Sequence, residues 1–220
     1  MVGVDTDGSM DGKLISWAKA VKRRKRLRHP VLWLFTDPRG PDPLQFARLA
    51  PRGLCGIVLR HDADPARAQL AQAIAEVCRE RGLALTIAGD WRLARAAGAG
   101  LHLRDGRKPP HAPRGWRLLT SSAHGAASLR RARAAGALVF LSPAFPTASH
   151  PGSPALGPLR WSRLAGGGAA MADECVGAPG VGAQGLTAPG VAALGGITGR
   201  TIRLLPRAVA AGAIGALATR

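Results

Sequence analysis

Short apolar runs alternate along this chain with longer segments in which Ala, Leu, Ile and Val recur at helical spacing among Arg and Glu. Residues 31–36 are an apolar run that stops at Asp37-Pro38, which reads as a strand with its terminator. Residues 54–59 repeat that pattern and stop at Arg60. Residues 65–81 change to helical period, and residues 83–88 return to a strand. Asp90 then caps a short helix that ends near Gly98, and residues 101–103 give a brief fourth strand. The pattern predicts further strands at 116–121, 137–141, 191–194 and 214–218, and a helix over 125–135 stopped by Gly136. Eight apolar runs separated mostly by helical patterns imply an α/β chain folded as a (β/α)8 TIM barrel. A doubly wound sheet is the competing arrangement.

Two stretches fit that pattern poorly. Residues 166–189 are Gly- and Ala-rich and too long for an ordinary connection, so an insertion with a loose helix near 169–175 is expected. The eighth predicted strand falls so close to Arg220 that the final helix of the barrel is apparently lacking. Barrel strands are apolar on both faces, so that part of the wall needs another cover. A helix suggested by Ile15, Trp17, Ala18 and Val21, or a second copy in a homodimer, would supply it.

Composition narrows the function classes. The chain has 220 residues, suited to one barrel domain over 30–220 behind a basic extension over 1–29. Net charge is +18, and residues 13–28 carry eight Lys or Arg and no acid. Such a segment attracts polyanions. It reads as a solvated extension or one packed across the barrel floor. The absence of Tyr, the scarcity of Phe and the lack of zinc-finger spacing argue against specific nucleic-acid recognition. No run of apolar residues is long enough for a membrane span. The N-terminus lacks an apolar signal region, and the three scattered cysteines read as buried thiols, so a cytoplasmic protein is expected.

In such a barrel, groups at the C-terminal ends of the strands converge on one mouth. The predicted rim holds Arg60, Asp90, Arg104, Asp105, Ser122, His124, Thr147, Ser149, His150, Gly195, Gly196 and Thr219. Cations, hydroxyls and backbone N–H groups in that number suit a phosphorylated small molecule. The Leu194-Gly195-Gly196-Ile197-Thr198 segment carries most weight, because loops after the seventh and eighth barrel strands commonly cradle phosphate; a tight turn is the plainer alternative. Arg60 is the strongest cation candidate. His124 carries an imidazole, a group that can both take and give a proton near neutrality. Asp90 is either a metal ligand or an N-cap, and His102, inside a strand, reads as structural. The loop 142–152 restrains Thr147, Ser149 and His150 between prolines.

These segments together resemble the thiamine-phosphate synthase and thiazole tautomerase (TenI-like) family. The resemblance runs over about 31–219 and rests on Trp33 to Asp37, Val58-Leu59-Arg60, Gly98 to Leu103, Ser122-Ala123-His124, the proline loop and Ala193 to Thr198. It implies a barrel that takes a thiazole phosphate or thiamine phosphate, with Gly195, Gly196 and the backbone near Thr219 on the phosphate and Thr147 and Ser149 lining the pocket. Synthases of the family join an aminopyrimidine diphosphate to a thiazole phosphate with Mg2+; tautomerases move a ring proton without a cofactor. The synthase pattern is broken here. Asp62 stands where a diphosphate-gripping Lys is expected, Gly89-Asp90 replaces Asn-Asp, Arg107 replaces a second Mg2+ ligand, and His150 replaces the loop lysine. His124 matches the tautomerase acid/base. The resemblance therefore favours a thiazole tautomerase, ahead of a divergent synthase with Asp90 as a Mg2+ ligand, and ahead of a non-catalytic phosphate-ligand binder.

Overall fold

A computed structural model of the chain describes residues 10–147, 152, 154–166, 190–205 and 208–213. Eight strands are Leu32–Phe35 (β1), Cys55–Leu59 (β2), Ala84–Ala88 (β3), Gly100–Leu103 (β4), Leu119–Ala123 (β5), Leu138–Leu141 (β6), Val191–Leu194 (β7) and Ala210–Ala213 (β8). Each pairs in parallel with the next, and β8 pairs with β1 through Leu32 opposite Ala211, closing the barrel. This is the (β/α)8 architecture that the apolar pattern implies.

Two strands lie off their predicted positions. The fifth is Leu119–Ala123, not 116–121; Trp116 instead precedes it, its indole N–H donating to the Pro113 carbonyl at 2.9 Å. The eighth is Ala210–Ala213, not 214–218. Residues 214–220, on which the expectation of a lacking final helix rests, fall outside the described residues, as does the loose helix expected near 169–175.

Alternation along the strands divides the side chains into two layers. Trp33, Phe35, Val58, Leu138, Phe140, Ala192 and Ala210 face inward and pack as one cluster. Leu32, Leu34, Ile57, Ile87, Leu101, Val139 and Ala211 face the surrounding helices. The interior is filled mainly by rings. Phe35 and Phe140 meet edge to face at 4.8 Å between centroids, and Trp33 meets Phe140 at 5.7 Å. Glycines make room for them: a Cβ at Gly56 would lie 2.7 Å from the Trp33 ring, and one at Gly212 would lie 2.7 Å from Phe35.

The helices are Gly12–Arg24 (α1), Pro43–Leu49 (α2), Arg67–Arg81 (α3), Trp91–Ala96 (α4), Ala126–Ala134 (α5) and Gly157–Gly166 (α6). Neither α2 nor α6 is singled out by hydrophobic periodicity, and the reason is physical. The α2 helix is two turns long, capped by Asp42 with Pro43 in its first turn, and α6 buries only Trp161 fully, whose indole donates to the Leu141 carbonyl at 3.1 Å, with Leu164 and Ala165 packed beside it.

The basic N-terminal segment is not simply solvated. Its helix α1 buries Leu14, Ala18 and Val21, spaced to share one face. Asp11 caps it, accepting from Lys13 N at 2.9 Å and Leu14 N at 3.1 Å, while its second oxygen accepts from Gly199 N at 2.6 Å just beyond β7. At the far end, Lys22 Nζ reaches the His29 carbonyl at 3.1 Å, just before β1. The helix thus runs from the C-terminal ends of the strands to their N-terminal ends, across the β8–β1 sector of the wall. That is the direction and place of a barrel helix, and it supplies the cover this sector needs.

Replacing Asp11 by Ala removes both the cap and the tie to Gly199. Urea unfolding of Asp11→Ala is expected to show a loss of about 1–2 kcal/mol, with Asp11→Asn, which keeps one acceptor oxygen, falling between the two. Equal stability of Asp11→Ala and the parent chain would mean that α1 is not held in this way.

Candidate functional site

The rings that fill the barrel also form the floor of its mouth. His102 on β4 lies level with them, 5.5 Å from the Phe35 centroid and 3 % exposed. Its Nδ1 is 2.9 Å from Thr120 Oγ1, which donates in turn to Thr86 Oγ1 at 3.4 Å. Thr86 Oγ1 donates to the Ile57 carbonyl, also at 3.4 Å. Burial pushes the His102 imidazole down to about 3, with the Arg60 and Arg104 guanidiniums adding to the effect. A neutral histidine in the floor beneath two cations agrees with the structural role expected of it.

Arg60 crosses the rim beside β1. Its backbone N–H donates to Thr36 Oγ1 and its Nε to the Thr36 carbonyl, both at 2.9 Å, and its guanidinium lies 5.7 Å from the Phe35 centroid. Asp37 stands 3.9 Å from Nη2. Arg60 is therefore a positioned cation at the mouth, partly engaged by its own neighbours. Asp62 bonds Arg104 and lies 3.1 Å from Arg67, so the acid that replaces the expected lysine is neutralised by two arginines.

Asp90 caps α4, its Oδ1 accepting from Arg92 N and Leu93 N at 3.0 Å each. The φ of Gly89 is +72°, and a Cβ there would lie 3.3 Å from the Arg104 guanidinium, so a side chain at 89 would crowd that cation. Among the described residues no cluster of three His, Cys, Asp or Glu stands in metal-binding reach. Cys55 and Cys78 are buried free thiols pushed up to about 12 by burial; Cys175 is outside the described residues.

His124 extends from the top of β5 with its side chain 60 % exposed. Its ring bridges the two neighbouring strand ends. Nδ1 is 3.2 Å from the Ser142 carbonyl and 3.2 Å from Ser142 Oγ, above β6. Nε2 is 3.9 Å from Asp105 Oδ1, above β4. Ser122 belongs to the same group, its Oγ accepting from Asp105 N at 3.3 Å. A backbone acceptor at Nδ1 favours the tautomer that leaves Nε2 free to take a proton. The sequence places Asp105 and Ser142 near the rim but gives no sign that they flank His124. That relation appears only when the strand ends are set side by side.

Gly195 and Gly196 turn at the top of β7 with φ of +90° and +62°. The proline loop packs directly on them: Ala144 N donates to the Leu194 carbonyl at 2.8 Å and Phe145 N to the Gly195 carbonyl at 3.1 Å. A Cβ at 195 would lie 3.0 Å from Pro143, and one at 196 would lie 2.7 Å from Phe145 Cβ. The pair therefore satisfies a turn and a close backbone approach, and it brings the β6 and β7 loops together on the side of the mouth next to His124. Thr147, half-buried, ends the described part of the proline loop. Ser149, His150 and Thr219 lie outside the described residues.

A buried neutral His102 makes stability pH-dependent. The unfolded imidazole takes a proton near its ordinary 6.5 while the folded one stays neutral down to about 3, so stability falls as pH drops through that interval. His102→Gln is expected to flatten the decline of the urea midpoint between pH 6.5 and 4; an unchanged slope would place the acid sensitivity elsewhere.

Comparison with known proteins bears on this barrel. A family model described as thiamine monophosphate synthase matches residues 43–216. No curated protein matches the chain. Among solved structures, the chain is similar to a thiamine phosphate pyrophosphorylase from Pyrococcus furiosus, with 19 % identity, a TM-score of 0.59 and coverage of 84 % of this chain and 85 % of that one. At that identity the likeness shows the shared fold.

Proposed function

Because this chain belongs to the thiamine monophosphate synthase family, we propose that its barrel mouth binds a thiazole phosphate and that His124 moves a proton on the bound ring, a thiazole tautomerase of the TenI-like kind. The observation that carries this reading is the mounting of His124, with one nitrogen against Ser142 and the other 3.9 Å from Asp105. Nε2 takes a proton from the ring. The same nitrogen returns the proton to a different ring atom, so the double bond migrates and nothing is oxidised or reduced. Gly195 and Gly196, with the backbone near Thr219, hold the phosphate; Arg60, Thr147, Ser149 and His150 complete the pocket. Anchoring the phosphate makes the transfer at the ring effectively unimolecular.

A synthase would use Mg2+ at this mouth. The residues that stand where its ligands are expected suit that ion poorly. Asp90 Oδ1 already accepts two backbone N–H groups, and Arg104 and Arg107 bring positive charge to the same side. Gripping a diphosphate would also require a cation where Asp62 forms ion pairs with Arg67 and Arg104. These features favour the tautomerase over a divergent synthase.

Loss of the shuttle is expected to lower kcat for thiazole carboxylate phosphate isomerisation by about 10²–10⁴-fold in His124→Gln, leaving thiazole phosphate binding within a few-fold. Asp105→Asn should lower kcat less than His124→Gln does. Full turnover by His124→Gln would overturn the assignment. Pyrophosphate release from the parent chain with aminopyrimidine diphosphate, thiazole phosphate and Mg2+ would favour the synthase instead.

A further inference from the structure

The N-terminal face of the barrel, opposite the mouth, carries a shallow basic groove. The groove, of about 580 Å3, runs between α1 and the turn that leads into β2. Lys19, Lys22, Arg23, Arg26 and Arg52 line it, and no acidic residue does. Among the described residues none of these five forms an ion pair with a carboxylate. Two of them are oriented by backbone oxygens: Lys22 Nζ by the His29 carbonyl at 3.1 Å and Arg52 Nη2 by the Glu80 carbonyl at 2.6 Å. The other sequence neighbours of the groove, Leu27, Pro51 and Leu54, give it an apolar lining.

A basic last turn complements the helix dipole, and Lys22 and Arg23 need no further reason for being there. That argument does not reach Arg26. Four helices end with the same bond from a backbone N–H to the carbonyl five residues earlier: Leu27 to Lys22, Leu83 to Cys78, Ala99 to Ala94 and Ala137 to Ala132, at 2.8–3.1 Å. This closure requires the preceding residue in the left-handed region, where glycine fits without cost. Three of the helices use glycine there: Gly82, Gly98 and Gly136. The fourth, α1, uses Arg26, at φ +49°. A cation thus occupies, at this helix end, the position where the other three helices carry glycine, and it lines the groove. Lys19, Lys22, Arg23 and Arg26 also sit three and four residues apart, a spacing at which like charges repel along a helix. Both features cost stability, and both point to an anion as what offsets it.

We propose that this groove is a binding site for a small polyphosphate anion, a compound bearing two or more linked phosphates. The cations from Lys19 to Arg26, three on α1 and one just past its end, span about 10 Å, longer than a single phosphate requires. The volume lies in the range of small-molecule sites. No aromatic side chain lines the groove to stack a base, as a single-stranded nucleic-acid site would need. The site is independent of the mouth and of the reaction proposed there.

The test is calorimetric titration of the full chain with inorganic tripolyphosphate at low salt, beside orthophosphate and a short DNA duplex. Tripolyphosphate should bind more tightly than orthophosphate, and the duplex should be displaced by it. Arg26→Gly should weaken tripolyphosphate binding about fivefold while its thermal midpoint stays equal or rises. The double variant Lys19→Gln, Arg23→Gln should lose more, whereas Arg95→Gln on α4, exposed and outside both sites, should lose nothing. Unchanged affinity in both groove variants, a lowered midpoint in Arg26→Gly, or duplex binding that tripolyphosphate does not displace would each overturn the proposal.

Discussion

The packing of four rings inside a closed sheet governs the rest of this molecule. Trp33 and Phe35 come from β1, Phe140 from β6 and His102 from β4, with centroid separations between 4.8 and 6.3 Å. Edge-to-face pairs of this kind add about 0.5–1.5 kcal/mol each beyond burial. They fit because the neighbouring strands give way. Ala192, Ala210, Gly56 and Gly212 carry almost no side chain where the rings lie. Bulk on β1 and β6 and smallness on the strands paired with them are a single arrangement.

The mouth inherits its form from that interior. Rings and a neutral His102 close the barrel just beneath the strand ends, so polar chemistry is confined to the residues that follow them. Arg60 lies over Phe35, Asp62 is occupied by two arginines, and His124 is set between Ser142 and Asp105. Charge on this rim is largely compensated from within. The exposed imidazole is the group best placed to exchange a proton with something outside the protein, and the tautomerase reading follows from that contrast.

The interior also explains what the sequence reveals and what it hides. Strands rich in large residues are legible: β1, β2, β3 and β6 fall within a residue or so of their predicted bounds. The eighth strand reads Ala-Ala-Gly-Ala, because Phe35 fills the space its side chains would take, so a search for apolar runs moves past it to residues 214–218. The fifth reads as starting at Trp116, since an aromatic resembles a strand residue even when it packs before the strand. Asp90 is legible as a cap because capping is local. The partners of His124 are not, since Asp105 and Ser142 meet it only through strand pairing. Gly195 and Gly196 are visible as a turn, but the loop that presses on them lies some fifty residues earlier. The helix in the basic segment is visible from its spacing; that it closes the wall depends on the contact between Asp11 and Gly199, distant in sequence.

The account stands on one spatial claim: a phosphorylated thiazole settles with its phosphate at the turn above β7 and its ring beside the imidazole above β5. Amide and imidazole resonances followed by NMR during titration with thiazole phosphate test this directly. The backbone N–H signals of Gly195 and Gly196 and the ring signals of His124 should move together and saturate at the same ligand concentration. If those signals stay fixed while residues elsewhere on the chain respond, the ligand does not sit where this reading requires.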